Sequence, residues 1–188
     1  MLLDIGLGLA AAIIAAYAGD MPLTNSLAWA GMFYALLPDL DALWYLLRKK
    51  NLAKGSYEHR DALHFPLLYI PIGTAVMYAI YPEHALLFAL GGLFHFIHDS
   101  IGIGWGVEWL FPFSRKHFSF FYIYRPKRAE RLPWQWAYAW EHRDLAALDD
   151  KYGDADWIRN IYLKAHPYAI AEFALFLAAL TAYLMLMS

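Results

Sequence analysis

The chain has 188 residues, of which 61% are hydrophobic, 18% are aromatic and 17% are charged, and its formal net charge is −2. This composition is too apolar for an ordinary soluble protein and too charged for a bare bundle of membrane spans, and the length fits one domain. Because the chain has no cysteine, disulfides and thiolate metal sites are excluded. Only His, Asp and Glu remain as strong metal ligands.

Five segments are apolar enough to form membrane-spanning helices, each of which needs about 20 residues. In chain order they are Leu2–Ala18, Ser26–Leu47, Ala62–Tyr81, Ala85–Ile103 and Tyr168–Met187. Asp4 lies in the first segment and no basic residue precedes it, which argues against a cleaved signal peptide and favours a retained span. The sequence therefore predicts an all-α fold, a polytopic helical bundle that forms a single membrane domain over residues 1–188.

The last two predicted spans are separated by a long polar and aromatic segment, residues 104–167. The aromatic run Phe118–Tyr124 is expected to lie at the membrane interface. Helices are predicted over Pro133–Asp149 and over Asp154–Lys164, with Asp154 as the cap of the second. Tryptophan and tyrosine beside basic residues are typical of interfacial helices, so this segment is expected to be a cytoplasmic, interfacial helical insertion.

The basic residues predict the orientation of the chain in the membrane. All fifteen Lys and Arg residues lie either in the loop Arg48–Asp61 or between Arg115 and Lys164. With five spans, both regions fall on the same side of the bilayer, and the positive-inside rule makes that side cytoplasmic. We therefore expect a multi-pass inner-membrane protein with its N-terminus in the cytoplasm and its C-terminus outside.

A group of polar residues interrupts the apolar spans near their cytoplasmic ends. Asp39 and Asp41 follow a proline late in the second span, His64 begins the third, and His95 and Asp99 lie one helical turn apart in the fourth. With a rise of about 1.5 Å per residue, all five fall in the inner half of the bilayer core. Placing imidazoles and carboxylates at this depth costs free energy unless a partner neutralises them, and a divalent metal can bind both kinds of side chain. The number of donors predicts one or two ions.

Four motifs occur in order along the chain: Pro38-Asp39-Leu40-Asp41, His59-Arg60-x-x-x-His64, His95-x-x-x-Asp99 and Val107-Glu108-Trp109-Leu110-Phe111-Pro112-Phe113-Ser114. Together they resemble the YdjM-like membrane-bound, metal-dependent hydrolases, also described as LexA-binding and inner-membrane-associated, over about Leu36 to Ser114. The resemblance implies a multi-span hydrolase whose divalent metal is bound by Asp39, Asp41, His64, His95 and Asp99, with His59 as a further ligand. The chain departs from the family pattern at Leu63-His64-Phe65, where Thr-His-Ser is usual, and at Gly102, where threonine is frequent.

The leading hypothesis is hydrolysis of a phosphoester in a lipid or lipid-linked substrate, a phospholipid for example, that reaches the site from the cytoplasmic leaflet. Zinc is the first expectation for the metal, with manganese or iron as alternatives, and it would lower the pKa of a water and neutralise phosphoryl oxygens. Arg60 is expected to stabilise developing negative charge, since its planar guanidinium suits phosphate. His98 is expected to donate a proton to the leaving group.

Other function classes fit the same residues. The chain would be a regulatory membrane scaffold if its metal were structural and the region Arg115–Lys164 bound a cytosolic protein. It would be a metal or proton transporter if the polar path crossed the membrane, although the outer halves of the spans are almost uninterrupted apolar residues. The same site would also suit a carboxylic ester or amide, and no nucleic-acid partner is expected. His98 is alternatively a hydrogen-bonded packing residue, and Glu172 is expected either to extend its carboxylate to the membrane surface or to pair with a basic loop residue.

Overall fold

The computed structural model describes residues 2–49, 63–121, 130 and 132–188. The chain divides into two compact units. The first, named here the helical unit, comprises Met1–Pro38, Leu67–His98 and Ala171–Ser188. The second, named the mixed unit, comprises Asp39–Pro66 and Asp99–Ile170.

Most of the described chain is helical. The α-helices are α1 Leu2–Ala18, α2 Asn25–Leu36, α3 Leu40–Lys49, α4 Pro66–Ile80, α5 Pro82–Asp99, α6 Leu145–Tyr152 and α7 Pro167–Met187. Two strands, β1 Lys116–Phe120 and β2 Ala137–Glu141, pair antiparallel with Lys116 opposite Glu141. The predicted all-α class is therefore wrong in the mixed unit, where this two-stranded sheet packs among short helices.

Small residues bring α1 and α2 together in the helical unit. The buried cluster between these helices and α5 consists of Ala11, Ala12, Ala15, Ala16, Leu27 and Leu87. The backbones approach closely at Gly8, where an added Cβ would lie 2.5 Å from Cα of Met32 and 2.6 Å from the carbonyl oxygen of Gly31. Close backbone approach at small residues is the usual way in which membrane helices gain packing contacts.

Replacing Gly8 with leucine is expected to destabilise the helical unit because its side chain would meet backbone rather than a movable side chain. Overpacking of this kind costs about 1–3 kcal/mol in unfolding free energy. The measurement is thermal unfolding of the detergent-solubilised chain. Ala18→Leu, at an exposed position on the same helix, is the matched control. Equal stability of the two variants would contradict the observed helix contact.

Helix α7 is the strongest candidate for a membrane span. Among the described residues it is the one helix of sufficient length and hydropathy to cross a bilayer, with 21 residues. Helices α1 and α4 are apolar but shorter, with 17 and 15 residues. The predicted segments Leu2–Ala18 and Tyr168–Met187 agree closely with α1 and α7, whereas a bundle of five spans stays a prediction.

The second predicted span, Ser26–Leu47, is wrong as a single helix. It is interrupted by a 3₁₀ turn over Leu37–Asp39, which separates α2 from α3. Pro38 explains the interruption, because proline lacks the amide hydrogen that an α-helix needs at this position and its ring crowds the preceding turn. Leu37 keeps helical backbone angles, so the helix tightens into a 3₁₀ turn rather than turning away. The break places Asp39 and Asp41 at the start of a new element rather than inside a continuous span.

Two other predicted spans have different ends in the structure. The third begins at Pro66 rather than Ala62, and proline suits the first position of a helix. The fourth ends at Asp99 rather than Ile103, because the following Gly102 and Gly104 have positive φ angles of 86° and 78°. Such backbone cannot continue a right-handed helix and is tolerated best by glycine.

The helix predicted over Pro133–Asp149 is wrong in its first half. Residues 137–141 form β2, a 3₁₀ turn follows over His142–Asp144, and α6 then extends to Tyr152. Aromatic side chains recur at every second position from Trp134 to Trp140, which is the period of a strand, and aromatic residues favour strands. The core of the mixed unit is formed by Trp105, Leu132, Tyr138 and Leu145.

Other predictions for residues 104–167 also change. The first residues of the aromatic run Phe118–Tyr124 belong to β1, and residues 122–124 lie outside the described chain. The segment Asp154–Lys164 contains a π-helical turn over Arg159–Leu163 in place of a full α-helix. The placement of this insertion at the cytoplasmic surface of the membrane stays a prediction.

Candidate metal centre

Four of the predicted ligands lie in the mixed unit at the ends of elements. Asp39 closes the 3₁₀ turn, Asp41 is in the first turn of α3, and Asp99 is the last residue of α5. His64 lies in the non-helical segment that precedes α4. Pro38 precedes Asp39, and Pro66 begins α4 two residues after His64. Because proline interrupts or begins helices, these two prolines place the Asp39 and His64 side chains at helix ends.

His64 is the centre of this group and is fully buried. Its Nδ1 lies 2.8 Å from Oδ2 of Asp41, and its Nε2 lies 3.2 Å from Oδ2 of Asp99. The same Oδ2 of Asp41 accepts a hydrogen bond from the backbone N–H of Leu63 at 3.2 Å. A carboxylate oxygen of Asp39 lies within 4.8 Å of a ring nitrogen of His64.

The two carboxylates control the protonation of His64. Burial alone lowers the pKa of the imidazole, but hydrogen bonds to Asp41 and Asp99 and the charges of these residues raise it to about 9. Without a metal the ring is therefore a cation at neutral pH. A metal that takes one ring nitrogen must displace that proton, so metal binding at this group becomes stronger as pH rises.

The donor atoms of this group fit a divalent cation. Within residues 2–49, 63–121, 130 and 132–188, Oδ1 of Asp41 is buried without a hydrogen-bond partner. A buried carboxylate oxygen that lacks compensation costs free energy, and a cation would supply that compensation. Carboxylate oxygen together with imidazole nitrogen is the donor set of zinc, manganese and iron sites. This buried His and Asp group could therefore hold a metal ion.

His95, the fifth predicted ligand, belongs to the helical unit. It is buried, and its Nδ1 lies 3.5 Å from Oδ1 of Asp4. On α5 it precedes Asp99 by one turn, as predicted from the spacing. His59 and Arg60, a predicted ligand and a predicted catalytic residue, lie outside the described residues.

A second polar group inside the helical unit joins three helices. Nδ1 of His98 lies 2.8 Å from Oδ1 of Asp4 on α1, and Nε2 lies 2.9 Å from Oε1 of Glu172 on α7. Both acids are buried. The structure thus pairs Glu172 with His98, where a basic loop residue was expected, and the role of His98 as a proton donor stays a prediction. Sequence reasoning missed Asp4 as a partner, although an acid within an apolar helix is itself a signal that one is needed.

A sequence model of the YdjM inner membrane protein family matches residues 4–187. The chain belongs to this family. The match extends well beyond the region Leu36–Ser114 that carried the resemblance, and it includes both Asp4 and Glu172. No curated protein and no solved structure matches the chain. Membership of the YdjM family makes this an inner-membrane protein, and the buried His and Asp group is its candidate metal centre.

Proposed function

We propose that this YdjM-family protein is a membrane-embedded, metal-dependent hydrolase that cleaves a phosphoester of a lipid or lipid-linked substrate at the cytoplasmic leaflet. The observation that supports this most strongly is the group around His64. There the imidazole contacts two carboxylates, and Oδ1 of Asp41 is buried without a hydrogen-bond partner among the described residues. An acidic and imidazole donor set at a membrane protein's helix ends suits a hydrolytic metal better than a packing network.

The proposed ligands are Asp39, Asp41, His64, His95 and Asp99, with His59 as a further one. Asp41 has two functions: Oδ2 accepts the Nδ1–H of His64 and the N–H of Leu63, while Oδ1 remains available to the ion. Its contact with Nδ1 fixes the tautomer that presents Nε2 of His64 as a ligand. A divalent ion, zinc in the first instance, would act there as a Lewis acid that lowers the pKa of water and neutralises phosphoryl charge.

The remaining residues of the proposed reaction come from the chain's own basic and imidazole groups. Arg60 follows the proposed ligand His59 directly and would hold phosphoryl oxygens through its planar fork, an arrangement that a carboxylic ester cannot match. His98 would return a proton to the leaving group. Its two ring nitrogens contact Asp4 and Glu172 in the structure. Hydrolysis of a carboxylic ester or amide at the same site stays the alternative, and the substrate panel below distinguishes the two.

The proposed orientation puts the candidate metal centre near the cytoplasmic face. It requires several spans, with the N-terminus inside and the C-terminus outside, because the basic residues then lie on one side. The exposed Trp134 and Trp136 of the mixed unit would sit at the headgroup level, where tryptophan is favoured. A cytosolic protein bound through residues 115–164 would be a further partner.

The test is hydrolysis by the full chain in detergent after it is loaded with zinc or manganese. The panel contains a lipid phosphomonoester (phosphatidic acid), a lipid phosphodiester (phosphatidylglycerol) and a carboxylic ester (p-nitrophenyl butyrate). We expect phosphoester turnover that EDTA abolishes and that added metal restores. Metal-loaded protein that hydrolyses none of these substrates would contradict the proposal and favour a scaffold with a structural metal. Ion uptake by sealed proteoliposomes would favour a transporter.

A further inference from the structure

Three side chains of the mixed unit converge outside the candidate metal centre. Oε1 of Glu108 lies 3.1 Å from Nε2 of His117 and 2.9 Å from Nδ1 of His142, and these two ring nitrogens are 3.2 Å apart. The three potential ligand atoms therefore form a nearly equilateral triangle. Glu108 and His117 are fully buried, and His142 is partly exposed.

The backbone determines which nitrogen of His117 carries a proton. Nδ1 of His117 lies 3.3 Å from the carbonyl oxygen of Gly106, and a carbonyl only accepts, so Nδ1 carries the hydrogen. Gly106 has a φ of 76°, and a Cβ there would collide with the backbone of Phe118, so glycine is required for this carbonyl to face the ring. In neutral His117, Nε2 consequently presents a lone pair to the triangle.

The arrangement favours a positive charge in its centre. The lone pair of His117 Nε2 and the oxygen of Glu108 both accept, yet they lie 3.1 Å apart. The Nδ1–H of a neutral His142 lies within hydrogen-bond distance of both acceptors, at 3.2 Å and 2.9 Å, and one hydrogen shared between two acceptors compensates each of them only in part. A metal cation among the three atoms would compensate both.

We propose that Glu108, His117 and His142 bind a divalent transition-metal ion of the zinc type, at a site separate from the group around His64. Two imidazoles and a carboxylate are an established ligand set for zinc. With bonds of about 2.0 Å, ligand atoms around a tetrahedral zinc ion lie about 3.3 Å apart, so the observed triangle needs to expand by less than about 0.5 Å. The proposal does not depend on the hydrolase function.

The surroundings of the triangle are those of a supported metal site. Arg115 donates to both carboxylate oxygens of Glu108, at 3.2 Å and 3.3 Å, and so fixes the direction of the carboxylate. The carbonyl oxygen of Gly106 accepts from Nδ1 of His117 and so fixes the direction of that ring. Outer contacts of this kind fix ligand direction and are usual in protein zinc sites.

The three residues come from three segments, which suggests what the ion would do. His117 lies on β1, His142 directly follows β2, and Glu108 follows Val107, whose backbone pairs with Phe118 of β1. An ion would tie the hairpin to the segment that precedes it. Three protein ligands leave a fourth position, and the partial exposure of His142 makes that position reachable from solvent, so an anionic group of a ligand can complete the coordination.

The experiment is a zinc titration of the full chain in detergent after chelator treatment, with bound metal measured per chain after gel filtration. The variant is His142→Gln, because this position is partly exposed and tolerates substitution better than the buried His117. Glu141→Gln is the matched control, since Glu141 is the exposed neighbour that pairs with Lys116. We expect His142→Gln to bind one ion fewer than wild type, or to bind it more than about 10-fold more weakly, and Glu141→Gln to match wild type.

The same comparison in an Asp41→Asn background separates the two sites. We expect the double variant Asp41→Asn/His142→Gln to bind one ion fewer than Asp41→Asn. We also expect cobalt bound to the single variant Asp41→Asn to give the visible absorption of a four-coordinate site. Equal zinc binding by wild type and His142→Gln would overturn this inference and would mean that a proton holds the triangle together. Loss of metal only in Asp41→Asn would overturn it while leaving the hydrolase proposal intact. Loss of metal only in His142→Gln would support this inference and would contradict the metal centre around His64.

Discussion

Replacement of His98 with leucine is expected to lower the free energy of unfolding by about 3–5 kcal/mol, the usual cost of breaking a buried ion pair by removing one partner. The imidazole bridges Asp4 on α1 and Glu172 on α7, at 2.8 Å and 2.9 Å. Its removal leaves two buried acids beside an apolar side chain. We expect the contact between the three helices to weaken, because the two acids lose the imidazole that bridges them. Unfolding of the detergent-solubilised chain measures the change.

A matched histidine on the same helix provides the control. His84 is at the other end of α5, and within the part of the chain that the structure describes it makes one hydrogen bond, to the hydroxyl of Tyr34 at 3.0 Å. His84→Leu is expected to cost only about 1 kcal/mol. A triple variant with leucine at Asp4, His98 and Glu172 is expected to recover most of the stability lost in His98→Leu, because no buried charge remains. Full stability of His98→Leu itself would contradict the bridging role.

Asp99→Asn is expected to reduce phosphoester hydrolysis about 10- to 100-fold with little change in stability. Oδ2 of Asp99 lies 3.2 Å from Nε2 of His64, so its charge is directed at the atom that would bind the metal. Asparagine keeps the size of the side chain and loses the charge. The position is the least buried of the carboxylates that contact His64, with 15% of its side chain exposed, so the variant should fold. The measurement is kcat/KM at saturating metal, beside thermal unfolding.

The control for this variant is Asp144→Asn. Asp144 is an aspartate of the mixed unit with 59% of its side chain exposed, and it lies in a 3₁₀ turn far in sequence from the residues around His64. We expect it to hydrolyse substrate at the wild-type rate. If Asp99→Asn retains wild-type activity with the metal bound, the carboxylate has no part in the reaction.

The elements that sequence analysis predicted well are those governed by a single strong signal. Helices α1 and α7 are long apolar runs, and their bounds follow directly from where polar residues begin. The break at Pro38 carried an equally clear signal, but the apolar character of the surrounding residues favoured one continuous span. The prediction of one span over Ser26–Leu47 therefore followed hydropathy and ignored Pro38, although the missing amide hydrogen of proline decides where the helix ends.

The sheet was missed because two periods compete in the same stretch. The residues from Trp134 to Trp140 have aromatic side chains at every second position, while the charged residues that follow fit an interfacial helix. The pairing of β1 with β2 depends on contacts between residues about 20 positions apart, which local patterns do not contain. For the same reason the convergence of Glu108, His117 and His142 could not be read from the chain, since it arises from the register of that pairing.

The candidate site was partly predictable for a different reason. Depth along helices placed Asp41, His64 and Asp99 at one level, and the structure brings these three together. What the spacing could not supply is the detail that Asp41 holds Nδ1 of His64, because tautomers depend on atomic contacts. Asp4 was visible as an acid in an apolar helix, but its partner His98 lies 94 residues away.

The metal content of the purified chain tests the central claim most directly. Wild type, Asp39→Ala and Asp41→Asn are loaded with zinc, passed through gel filtration and analysed for metal per chain, with the exposed Asp150→Asn as control. The account predicts that both site variants lose at least one ion relative to wild type, that Asp150→Asn loses none, and that wild type retains more metal at pH 8 than at pH 6. Equal metal content in all four proteins would show that the group around His64 holds no metal, and the hydrolase proposal would then fail.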